Sequence, residues 1–299
     1  MIHIYHHNDL DGMSSAGILA YHLYKQRKST LYGMKFYSCS YKELDTSNIK
    51  ENDTVYILDY SFTEATKSQL LDIYNKCNKH LIWIDHHDSS IELQKSNDET
   101  IKSIDGIRSK QGSGVYLTYV YMNDMMKNIE KPMYAFINIP TFILYISDYD
   151  TFSKALIPQS DWFKYGMDTH NINPTSSIWQ QLMEDYDKQL LSDILEDGKL
   201  AYKYAMKELK SYYKSYGFDA KFEGYDIKVI NRRTNSSAFG EDYKKADIVM
   251  SYVYDGNLYK YSIFSSKEDI DCSKLAEKYG GGGHKGAAGF SSNTIVFES

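Results

Sequence analysis

A chain of 299 residues with 42% hydrophobic side chains can fill one large or two ordinary domains, which excludes a disordered polymer. Its formal charge of -6 argues against a protein that holds long duplex DNA through a broad basic face, since that needs many lysine and arginine contacts to phosphate. Cys39, Cys77 and Cys272 are too few and too scattered for a disulfide framework or a thiolate zinc site, and no signal-like or membrane-spanning run is evident, so a cytoplasmic protein with no membrane segment is expected.

In chain order, Met1 to Tyr5 reads as a strand, Ser14 to Lys25 as a helix, Thr54 to Asp59 as a strand, Thr63 to Asn75 as a helix and His80 to Asp85 as a strand. This alternation predicts βαβ units and a parallel sheet, in which ligands gather at the carboxyl ends of the strands. Gly112-Ser113-Gly114 opens a helix through Val115 to Asn123, and Met133 to Ile146 reads as another, with a bend expected at Pro140. Asp148 and Asp150 come after it. From Asp185 to Tyr216 the pattern is charged and helical, with Leu190, Leu191, Ile194 and Leu195 near helical spacing, as in a solvated connecting helix. Strand patterns resume at Tyr225 to Ile230, Ala246 to Tyr254 and Leu258 to Phe264, before a short helix from Cys272 to Lys278 and a glycine run. The expected architecture is α/β: a parallel-sheet N-terminal metal domain (1–185), a connecting helix (186–217) and a smaller α/β C-terminal substrate-binding domain (218–299).

Three of the strand ends carry ionisable side chains. His6-His7-Asn8-Asp9-Leu10-Asp11-Gly12 closes the first, Asp59 the next and Asp85-His86-His87 the last. His7, Asp9 and Asp11 have one parity, so in an extended segment they share a face from which His6 turns away. An imidazole with two carboxylates suits manganese, iron or zinc better than calcium. With Asp59, His86 and Asp148 added, the ligands suffice for two ions sharing a bridging carboxylate. Two ions roughly 3.5–4 Å apart clamp an in-line attack on phosphorus, so phosphoryl hydrolysis is the reaction expected. Each piece has a plainer account, a polar turn for His7 to Gly12 or a helix cap for Asp59; their coincidence at three strand ends is what points to metal.

The run Gly280-Gly281-Gly282-Gly283 lets backbone approach a ligand and aim amide hydrogens at an anion, and His284 and Lys285 add donors. A helix C-cap is the plainer reading, weakened by the histidine, the lysine and the small Ala287-Ala288-Gly289 behind them. Arg108 and Lys110 are either substrate contacts or an exposed basic turn, and His170 reads as a loop histidine.

Asp85-His86-His87, with His7 to Gly12, Asp59 and Asp148, resembles the four-motif core of the DHH phosphoesterase superfamily. Gly280 to Gly283 with His284 and Ala287-Ala288-Gly289 resembles the signature of its DHH-associated C-terminal domain. Both ends of the chain and the motif order match, and the short spacing from His7 to Gly12 is similar to the nano-RNase B-like oligoribonuclease branch. The resemblance implies two manganese ions, one on His7, Asp9 and Asp59, the other on Asp11, Asp59, His86 and Asp148, with Asp59 as bridge. It implies that Asp85 orients an imidazole, that His87 lies near the substrate phosphate, and that Gly281, Gly282, Gly283, His284 and Lys285 grip phosphate or nucleotide.

One departure stands out: Ser262-Ile263-Phe264-Ser265 has phenylalanine where many relatives carry arginine. Arg232 and Arg233 could restore that charge, though an exposed basic turn is an equally good account. The function implied is a phosphodiesterase that hydrolyses short single-stranded RNA or DNA from an end of unknown polarity, through two-metal activation of a bridging water in an interdomain cleft. Cyclic (di)nucleotides and phosphoadenosine phosphate are the alternative substrates, and a nucleotide-sequestering protein without turnover is the non-enzyme rival. A homodimer is compatible with all of these.

Overall fold

The computed structural model describes residues 1–26, 33–40, 44–123, 139–185 and 188–298. Contacts divide the chain into two compact units, Met1–Ala201 and Tyr202–Ser299.

The first unit is built on a four-stranded sheet of β1 (Ile2–His7), β2 (Met34–Cys39), β3 (Thr54–Leu58) and β4 (Leu81–Ile84), ordered β2-β1-β3-β4. Every pairing is parallel, as the alternation of strands and helices predicts. Register sets which side chains meet at the sheet edge. His6 pairs with Leu58 and Leu58 with Ile84, so the next residues, His7, Asp59 and Asp85, leave the sheet side by side at its carboxyl end. β3 sends Tyr56 and Leu58 into the core on one face and Val55 and Ile57 into that on the other. A strand buried on both faces reads as a continuous apolar run, which is why β3 and β4 stand out in the sequence while β2, at the sheet edge with most of its residues exposed or half-buried, does not.

Helices flank the sheet: α1 (Leu10–Lys25), α2 (Lys67–Lys76), α3 (Asp88–Gln94), α4 (Glu99–Ser103), α5 (Gly114–Met122), α6 (Thr141–Asp150), α7 (Gln159–Met167) and α8 (Ile178–Glu184). The helix expected over Met133 to Ile146 falls partly outside the described residues; within them, α6 starts after Pro140 and runs to Asp150. α1 starts four residues earlier than the apolar periodicity predicts. Asp9 is its N-cap, accepting from Gly12 N at 2.9 Å, so the extended segment ends at His7 and Asp9 and Asp11 belong to the helix start. A Cβ on Gly12 would lie 2.4 Å from the His7 carbonyl, which fixes glycine at this tight strand-to-helix turn.

α9 (Gln189–Tyr216) crosses the boundary between the units. The second unit holds β5 (Phe218–Phe222), β6 (Tyr225–Ile230), α10 (Asp242–Lys245), β7 (Ile248–Tyr254), β8 (Tyr259–Phe264), α11 (Cys272–Glu277), β9 (Gly282–His284) and β10 (Ala287–Ser292). Its six-stranded sheet, ordered β5-β6-β7-β8-β10-β9, is antiparallel except between β6 and β7. α11 packs on one face with Phe222, Tyr261 and Phe290, and Leu209 of α9 on the other with Ile230, Phe239 and Val249.

Candidate metal centre

The carboxyl edge of the parallel sheet gathers a cluster of acids and three imidazoles. His7 Nδ1 lies 2.7 Å from Asp9 Oδ2 and 3.8 Å from Asp59 Oδ2. His86 Nε2 lies 3.2 Å from Asp59 Oδ1, 3.2 Å from Asp150 Oδ2 and 3.9 Å from Asp11 Oδ2. Three ligand groups result, His7 with Asp9 and Asp59, Asp11 with His86 and Asp150, and Asp59 with Asp85, His86 and His87, each with ligand atoms within 4.8 Å of one another. Asp59 belongs to two of them and lies 3.2 Å from His86 of the other.

Asp59 also carries the clearest backbone signature of function. Its φ of 53° puts a non-glycine residue in the left-handed region immediately after a buried strand, a strain that persists only where the surroundings impose it. The side chain is buried, and its Oδ1 accepts no hydrogen bond although His86 is near. Burial, then the charges of Asp11, Asp9, Asp150 and Asp85, pushes its carboxyl well above the ordinary range. Asp150 is raised by burial and by Asp11 and Asp9, and Asp11 is pushed up to about 6 by burial and Asp9. Buried carboxylates that repel one another are poorly stabilised by protein alone, and a mixed nitrogen and oxygen set at this spacing fits divalent cations.

Other contacts hold the acids in place. Asp11 is gripped by the start of α5: Oδ1 accepts from Ser113 Oγ at 2.6 Å and Val115 N at 2.9 Å, and Oδ2 from Gly114 N at 2.6 Å. Ser113 N in turn donates to Ser147 Oγ of α6, 2.9 Å away. A Cβ on Gly114 would lie 2.7 Å from Asp59 Cβ and 2.9 Å from Asp11 Oδ2, so only glycine lets α5 come this close. Asp85 is fully buried and accepts from His87 Nδ1 at 2.8 Å and from Ser90 Oγ. Burial would raise Asp85, but the His87 and His86 charges and the Ser90 hydroxyl outweigh it and leave it lowered. Burial would likewise lower His87, yet the Asp85 carboxylate prevails and holds it up at about 9, an imidazolium at neutral pH.

The structure corrects one ligand. Asp148 does not join the cluster: its Oδ1 accepts from Ala155 N at 2.7 Å and from Ser153 Oγ, tying down the loop after α6. Asp150 takes the place beside His86. The physical reason is helical: two residues apart on α6 means about 200° around the axis, so the two carboxylates leave in nearly opposite directions. The stripe Ile143, Ser147, Asp150, at helical i, i+4, i+7 spacing, was the signal that could have chosen between them.

The second unit separates residues that the sequence grouped together. Amides of Gly280 and Gly281 donate at 3.0 Å to carbonyls of Glu277 and Ala276, capping α11 instead of facing a ligand. A Cβ on Gly281 or Gly283 would collide with β10, while one on Gly282 would meet open space. Lys285 is exposed; the side chain of His284 lies outside the described part. Arg232 and Arg233 come after β6, which β7, β8 and β10 separate from β9, about 19 Å at the usual strand spacing. The Arg232 guanidinium sits 5.1 Å over the Tyr212 ring, and Arg233 is exposed after the same strand, so neither supplies charge at the glycine run. Arg108 is structural too: buried, it donates to the carbonyls of Trp83, Asp105 and Ile104 beside β4. Lys110 pairs with Asp88 at the surface. No helix among the described residues is long and apolar enough to cross a membrane.

Residues 1–140 match the DHH family, N-terminal domain. The uncharacterized protein R106 of Acanthamoeba polyphaga mimivirus is 25% identical over 98% of this chain and 67% of its own length. Oligoribonuclease NrnB of Bacillus subtilis is 22% identical over 100% of this chain and 74% of its own length. Among solved structures, a pGpG-specific phosphodiesterase, PggH of Vibrio cholerae, shares the fold with a TM-score of 0.52 at 12% identity, covering 98% of this chain and 94% of that one.

Proposed function

We propose that the chain, whose residues 1–140 match the DHH family, N-terminal domain, is a manganese-dependent phosphodiesterase of short single-stranded oligonucleotides. The observation that carries this reading is Asp59, buried and backbone-strained between a His7, Asp9 group and an Asp11, His86, Asp150 group. The names of two similar proteins support the substrate class: one is an oligoribonuclease and the other acts on pGpG, and both names describe short nucleotide phosphodiesters.

His7, Asp9 and Asp59 would hold one ion, and Asp11, Asp59, His86 and Asp150 a second. Bound divalent ions supply Lewis acidity at phosphorus and make water a nucleophile at neutral pH. The protein's own residues do the rest. Asp9 uses one oxygen to cap α1 and keeps the other beside His7, while the start of α5 keeps Asp11 aimed. Ser90 holds Asp85, and Asp85 takes His87 Nδ1, so Nε2 is the ring nitrogen that His87 would turn to a phosphate oxygen. Gly282, with open space in front of it, and exposed Lys285 are the part of the glycine run suited to a terminal phosphate.

The test is a substrate panel on the full chain: a dinucleotide, oligomers of increasing length, a cyclic dinucleotide and phosphoadenosine phosphate, each with manganese and with chelator. Release of mononucleotides from the dinucleotide and short oligomers, lost on chelation, is expected. Manganese-loaded protein that binds these compounds and cleaves none of them would make it a nucleotide-sequestering protein and end the enzymatic reading.

A further inference from the structure

We propose that the outer face of α9 is a binding track for the phosphate backbone of a single-stranded nucleic acid. The net charge conceals it. From Lys199 to Gly217 the only acidic residue is Glu208, against five lysines. Lys203, Lys207, Lys210 and Lys214 succeed one another at steps of four, three and four, so they fall within about 60° of the helix circumference, with Glu208 well outside that arc. All four are exposed, and none makes an ion pair among the described residues. One turn earlier, Lys199 already lies 5.1 Å over the Trp162 ring.

Four geometrical facts favour a nucleic-acid strand. The lysines are spaced about 4.5–6 Å along the axis, comparable with successive phosphates on a strand, and extend over about 16 Å. Tyr204, about 60° around the helix from the nearest lysine of the stripe, has 67% of its surface exposed, a ring available for a base to stack on. The opposite side of α9 is committed to the protein's own core, where Leu209 packs with Phe239 and Val249. The large apolar side chains that α9 exposes, Leu200, Tyr204 and Tyr216, do not line one face, so α9 lacks the build of a helix that lies in a bilayer surface. The choice of strand over other polyanions rests on the nucleotide chemistry proposed above.

The decisive experiment measures anisotropy of a labelled single-stranded oligonucleotide, long enough to span the stripe, on the full-length chain in chelator, where no turnover occurs. It compares wild type with a K203Q/K207Q/K210Q/K214Q variant. Glutamine matches lysine in helix propensity, and an unchanged Tm confirms folding. The variant should bind at least tenfold more weakly at low salt. The slope of log affinity against log salt should fall by about 3, the value for four phosphate contacts on a single strand. Equal affinity and slope in the two proteins would overturn the proposal. So would binding of the stripe to phosphatidylserine vesicles without any binding to the strand, which would assign it to a membrane surface. Because this assay contains no metal, strand binding with the expected slope stands even if the substrate panel shows no hydrolysis.

Discussion

At the scale of the residue, the structure gives two aspartates of α6 opposite duties. Asp148 accepts hydrogen bonds from Ala155 N and Ser153 Oγ, both on exposed residues of the loop after α6, so Asp148→Ala removes their acceptor and should cost about 0.5–1.5 kcal/mol of stability per bond, read as a lower Tm. Metal affinity should hold. Asp150→Asn should do the reverse: the metal-free Tm stays level, because a repelled, half-buried carboxylate becomes neutral, while manganese affinity falls at least tenfold by calorimetric titration. A variant pair with the effects exchanged would restore Asp148 as the ligand. Sequence parity sets His6 apart from His7 because both lie in β1, where side chains alternate; His6 is buried with Nδ1 2.7 Å from the His7 carbonyl, while His7 faces Asp9 and Asp59. Parity fails for Asp9 and Asp11. They reach the site from the cap and first turn of α1, where strand alternation has no meaning.

At the scale of the element, the start of α5 is the part of the site that sequence left unread. Gly112-Ser113-Gly114 announces a helix, but only the fold shows that its first amides are spent on Asp11 and that Gly114 touches Asp59. Non-local contacts of this kind, across 102 to 104 residues, leave no periodicity to detect. Gly114→Ala improves helix propensity yet pushes a methyl into Asp59 Cβ and Asp11 Oδ2. It should therefore lower manganese affinity by about 10–100-fold, the usual effect of disturbing the contacts that orient ligands, and lower the Tm in chelator through overpacking of about 1–3 kcal/mol. Wild-type manganese affinity in a variant shown by circular dichroism to be folded would show that the helix start does not position the acids.

At the scale of the whole molecule, the sheet explains why the site was legible at all. Three apolar runs ending in His7, Asp59 and Asp85 could be read as strands, and a parallel sheet places strand ends together. The second unit was harder. Its sheet is mainly antiparallel, β5, β9 and β10 are short or glycine-rich, and the distance from Arg232 to the glycine run depends on a strand order that local patterns do not encode. The basic stripe on α9 was hidden for a different reason, since an average over the chain cancels lysines gathered on one helical face.

The central claim is that Asp59 unites two ion sites into one phosphodiester-cleaving centre. Asparagine keeps the size of the side chain and tolerates its positive φ, but offers one neutral oxygen for two charged ones. The most direct measurement is dinucleotide hydrolysis as manganese is titrated into metal-stripped wild type and Asp59→Asn. Wild type should gain activity with manganese and saturate, while Asp59→Asn, with an unchanged circular dichroism spectrum, stays slower by a factor of about 1,000 or more at every concentration. Hydrolysis by the stripped wild type, or equal rates in the two proteins, would contradict the account.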